Sequence, residues 1–129
     1  MASPNLHNDV FDAALAKLAT ATAVHICSSE PADHAGIAGV SLGSYTLTPG
    51  AGNGDWTIAD GDTSGRKLTL AAQSGNNATG SGNANYLAFT DGSTLLAVID
   101  GDGEAVNAGS PFTIAATDVV EFRDPVNEA

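Results

Sequence analysis

The first apolar pattern in the chain has a helical period. Phe11, Leu15 and Leu18 recur at i, i+4 and i+7, with Val10 and Ala14 beside them, giving one apolar stripe along roughly three turns. Asn8 stands where an N-cap belongs. Asp9 and Asp12 place negative charge in the first turn and Lys17 a positive charge near the last, both favoured by the helix dipole. The spacing predicts a helix over residues 8–19, ended by the Thr20-Ala21-Thr22 run.

Beyond Ala23 the period changes to two. Residues 23–28 read as a first strand, with Val24 and Ile26 on one face and His25 and Cys27 on the other. Residues 32–42, small and glycine-containing, read as an irregular loop, and 45–48 as a short strand. Residues 56–59 and 66–72 predict a hairpin around Asp60-Gly61, and the low-complexity stretch 73–83 a flexible loop. Residues 85–90 and 94–99 predict the clearest hairpin, across Asp91-Gly92-Ser93. Leu95, Leu96, Val98 and Ile99 are apolar on both faces, the mark of a central strand covered on both sides. Residues 112–116 and 119–123 complete the set. The expected fold is mainly β: a β-sandwich or partly open barrel of about seven or eight short strands, with one N-terminal α-helix over a face or an end. The organisation expected is an arm over residues 1–7, a single β-rich domain over 8–124 and a tail over 125–129.

Composition narrows what fills that fold. With 43% hydrophobic residues but only 5% aromatic, the core must be built largely from Val, Ile, Leu and Ala. Fifteen acids face only Lys17, Arg66, Lys67 and Arg123, for a net charge of −11. Such a chain is repelled by phosphate backbones and anionic headgroups, so neither nucleic acid nor membrane is an expected partner. The N-terminus shows no basic and apolar leader pattern, and synthesis in a bacterial cytoplasm is expected. Cys27 is the single cysteine, which excludes an intrachain disulfide and predicts a small buried hydrophobe.

Candidate chemistry is sparse. Asp60-Gly61-Asp62 and Asp100-Gly101-Asp102 could converge carboxylates on calcium. Counted from Asp60, however, position twelve of an EF-hand loop is Ala71, and counted from Asp100 it is Pro111. Tight turns are the simpler expectation, with no metal. His7, His25 and His34 lack metal-ligand spacing, no Gly-x-Ser-x-Gly elbow or phosphate-binding loop occurs, and neither catalysis nor a cofactor is expected. Arg66 and Lys67, half of the basic charge, read either as cations guarding an edge strand or as an anchor to an acidic patch on a neighbouring copy. With Pro4 and Asn5 of the arm, they are the candidate partner contacts.

Four segments carry a resemblance. They are Asn-Asp-Val-Phe-Asp-Ala-Ala-Leu at 8–15, Val-His-Ile-Cys-Ser-Ser-Glu-Pro at 24–31, Gly-Arg-Lys-Leu-Thr-Leu-Ala-Ala at 65–72 and Gly-Asn-Ala-Asn-Tyr-Leu-Ala-Phe-Thr-Asp at 82–91, the last followed by Leu95-Leu96. Together they resemble small virion structural proteins of tailed bacteriophages. The resemblance implies a non-enzymatic building block of the virion, foremost a capsid decoration (cement) protein acting as an oligomer on the major capsid protein. A tail or fibre component, with a receptor- or carbohydrate-binding role, is the alternative it leaves open.

Overall fold

A computed structural model describes residues 7–62 and 64–123. It is mainly β, with an N-terminal helix and nine strands in antiparallel sheets. Most of the arm, including Pro4 and Asn5, and the whole tail lie outside the described residues.

Helix α1 spans Asn8–Leu18. Its N-cap is His7 rather than Asn8: the His7 Nδ1 accepts a hydrogen bond from the Asp9 N–H at 3.1 Å. Phe11 and Leu15 are buried, as the stripe requires, and Phe11 stacks on Phe122 at 6.0 Å. Val10 and Ala14 are not part of the buried face, Val10 being 55% exposed. They lie about a quarter-turn from Phe11 and Leu15, at the margin of the buried face.

Four strands make the larger sheet: β1 (Ala23–Cys27), β2 (Ser41–Thr46), β6 (Tyr86–Thr90) and β7 (Leu95–Asp100), in the order β2-β1-β6-β7. A three-stranded sheet orders β3 (Trp56–Asp60), β4 (Arg66–Leu70) and β9 (Thr117–Phe122). The strands β5 (Gly82–Asn83) and β8 (Ala105–Val106) form a small third sheet. The two larger sheets share one core. Val24, Ile26, Leu87 and Phe89 come from one sheet, Trp56, Leu68, Leu70 and Val119 from the other, and Leu15 from the helix. The Trp56 and Phe89 rings meet across it at 5.6 Å.

Several expectations change. Residues 32–42 are not wholly irregular: a short helix α2 (Ile37–Val40) leads into β2, which starts at Ser41. Pro31 and Ile37 bury themselves there, and the Ser28 N–H bonds the Val40 carbonyl at 3.1 Å. Cys27, at the adjoining end of β1, is fully buried but is not part of the core cluster. Residues 73–83 are pinned rather than free, since Gln73 bridges Ile114, Asn77 bridges Pro111 and Ala78 is buried. Residues 112–116 alternate in burial like a strand but make only those isolated bridges. Strand β7 is not central: it pairs with β6 alone and its apolar residues are half-buried. A bulge between Phe89 and Thr90 shifts the register, so Leu96, Ala97 and Ile99 all pack on the core and leave the strand apolar throughout.

Two glycines are required by what approaches them. Gly65 has φ +71°, and a side chain there would collide with the Phe122 carbonyl. At Gly43 an added Cβ would stand 2.8 Å from the Phe112 ring, so glycine makes the seat for that ring.

Leu15 is fully buried among residues of both sheets. Leu15→Ala is expected to lower the unfolding free energy by about 2–5 kcal/mol. Urea denaturation measures this, and an unchanged midpoint would place the helix outside the core.

Candidate docking surfaces

Arg66 and Lys67 lie on β4, the central strand of the three-stranded sheet, so they guard no edge. Their partners come from four places in the chain. Arg66 Nε donates to Asp12 of α1 at 2.9 Å and Arg66 Nη1 to Asp60 of β3 at 2.7 Å. Lys67 Nζ donates to Asp62 at 2.9 Å and to Asp118 of β9 at 3.3 Å. The Lys67 hydrogen bond and charge hold the Asp62 carboxyl below its usual range. The Asp60-Gly61-Asp62 turn is therefore engaged by cations of the chain itself. The remaining basic residues are also placed against acids: Arg123 stands 3.8 Å from Glu121, and Lys17 lies near Asp91. Asp91 is held below the usual carboxylate range mainly by the Ser93 and Thr94 backbone N–H groups.

The Asp100-Gly101-Asp102 turn has no such cation among the described residues. Asp102 accepts the Glu104 N–H at 3.0 Å, closing a local turn. Asp100, Asp102 and Glu104 are exposed along one lip of a half-open groove of about 620 Å³. Residues 100–102 and 104–107 form one wall, 110, 111 and 113–117 the other, and Ile26, Leu87 and Phe112 the apolar floor. Phe112 is locked by its 4.8 Å contact with the Tyr45 ring and by the Tyr45 hydroxyl donating to its carbonyl.

A second concavity of about 230 Å³ lies between α1, β7 and β9, lined by Ala14, Lys17, Leu18, Leu96, Val120 and Phe122. It adjoins Val10 and Phe122, the large hydrophobic side chains exposed among the described residues, at 55% and 37%. Val10 continues the Ala14–Leu18 row by helical spacing, so together they form an apolar strip that runs along α1 from its first turn to its last.

The outer face of the larger sheet holds a third cluster. His25 Nδ1 lies 3.0 Å from the Ser41 hydroxyl, and the Cys27 thiol donates to the His25 carbonyl. Burial pushes the thiol up to about 11, which makes it a poor nucleophile. Burial, and secondarily the nearby His34, lowers the His25 pKa. Among the described residues, no three His, Cys, Asp or Glu side chains are grouped to hold a metal.

Neither surface was visible from local pattern. The groove depends on residues 110–117 crossing the sheet without joining it; the only hint was the alternation from Pro111 to Ile114. The strip depends on Val10 lying at the margin of the helical stripe.

No known protein family, curated protein or solved structure matches the chain.

The lowered pKa of His25 fixes the sign of one pH effect. The fold favours the neutral imidazole, so this contribution is complete above the ordinary value of about 6.5 and is lost as pH falls below it. The denaturation midpoint is expected to fall between about pH 7.5 and 5.5, and His25→Gln should flatten that fall. An equal fall in the variant would assign the effect to other groups.

Proposed function

We propose that this chain is a non-enzymatic structural protein of a tailed-phage virion, a decoration protein that binds the assembled head. The resemblance of residues 8–15, 24–31, 65–72 and 82–91 to such proteins motivates the reading. The observation that carries it is the apolar strip between α1 and β9. Val10 and Phe122 are exposed, whereas the other large hydrophobic side chains among the described residues are buried at least in part. The strip runs along α1, the element that follows residues 1–6 in sequence.

In this reading the partner is the major capsid protein, and the chain acts as an oligomer. Binding the assembled lattice but not its dissociated subunits stabilises the lattice by mass action. Small contacts repeated between symmetry-related neighbours add avidity without any single strong site. Net charge −11 per copy opposes crowding, so the docking face must be less acidic than the rest. The strip meets that condition, with Lys17 on its margin.

Particles lacking the protein are expected to assemble but to burst at a lower temperature than complete ones. Cryo-EM of complete particles should show its density on the head lattice, with α1 and β9 toward the shell. Density confined to the tail or fibres would replace this reading with a tail or fibre component.

A further inference from the structure

We propose that the groove between residues 100–107 and 110–117 receives an extended, lysine- or arginine-bearing segment of a partner protein. The floor of Ile26, Leu87 and Phe112 offers an apolar seat of side-chain size within about 620 Å³. The lip offers three exposed carboxylates, Asp100, Asp102 and Glu104. Among the described residues no cation answers them: Arg66, Lys67 and Arg123 are paired elsewhere and Lys17 lies near Asp91.

The opposite wall makes the occupant a polypeptide. Ile114 exchanges both backbone hydrogen bonds with Gln73, at 3.0 and 2.8 Å. On an extended backbone the N–H and C=O groups of Thr113 and Ala115 therefore turn the other way. Both residues line the groove, and their backbone groups have no partner among the described residues. A segment laid along this edge would pair with them as an added strand. Its alternate side chains would then divide between the apolar floor and the acidic lip.

The charge also says whose segment it is. A second copy carries the same −11, with its basic residues already placed against acids, and residues 1–6 and 124–129 contain no lysine or arginine. The occupant is a different, basic protein. This holds whichever particle the chain joins, so its test fails separately from the capsid reading.

The test titrates the full isotope-labelled chain with an end-capped Lys-Val-Lys-Val-Lys peptide, and with Glu-Val-Glu-Val-Glu as its counterpart. The basic probe should shift the amide resonances of residues 101–104, Thr113 and Ala115 saturably, and the acidic probe should not. Combined Asp100→Asn, Asp102→Asn and Glu104→Gln should weaken binding roughly tenfold. Neutralising Asp9, Glu30 and Asp33 instead removes the same charge elsewhere and should leave binding unchanged. Ala115→Pro, folded by its amide spectrum, should weaken binding with the acidic lip intact; if it fails to fold, the carboxylate variants decide. Three results would overturn the proposal: no saturable shift, shifts mapping elsewhere, or equal loss in both neutralised variants. Shifts at the same amides on raising protein concentration without probe would make the occupant a second copy, and would overturn it too.

Discussion

Trp56 is fully buried where three parts of the chain meet, and the architecture depends on that meeting. Its ring packs on Phe89 of the larger sheet while its own strand, β3, belongs to the smaller one. Its indole N–H points to the Ala21 carbonyl, 3.4 Å away, in the link between helix and first strand. In a chain with one tryptophan and four phenylalanines, this contact supplies much of the area that holds two thin layers together. The surrounding leucines, valines and alanines complete the core.

Charge is arranged around this core in a way that bears on contact with other molecules. Four aspartates from α1, β3, the following turn and β9 converge on Arg66 and Lys67. These pairs are partly exposed and contribute little each, but they tie helix, hairpin and last strand to one central strand. They also consume the cations. What remains outside is acidic, interrupted by the apolar strip at α1 and β9 and edged by the uncompensated lip of the groove. The strip suits a surface of low charge, the groove a basic one, so the two would meet different chemistry.

The parts of the fold legible in the sequence are those whose burial has a regular period. The Phe11–Leu15 stripe, the β3–β4 hairpin and the β6–β7 hairpin lie where alternation and turn residues place them. The two-residue strands β5 and β8 are too short to have a period, and the four residues of α2 too few to show a helical face. Strand β7 misled for a physical reason: a bulge sends extra residues to the core, so apolarity on both faces does not mean cover on both. Arg66 and Lys67 misled because their partners are distant in sequence, and a cation pair looks alike on an edge strand and on a central one. Of the groove, the Asp100-Gly101-Asp102 turn and the alternation of 111–114 were readable, but not their facing each other.

On the proposed reading, the strip between α1 and β9 would be the face turned toward a virion. Hydrogen exchange of the protein, free and bound to intact virions, tests it most directly. Exchange should slow on binding in residues 7–18 and 117–123. Unchanged exchange there, with protection appearing over residues 29–40 on the outer face of the larger sheet, would contradict it.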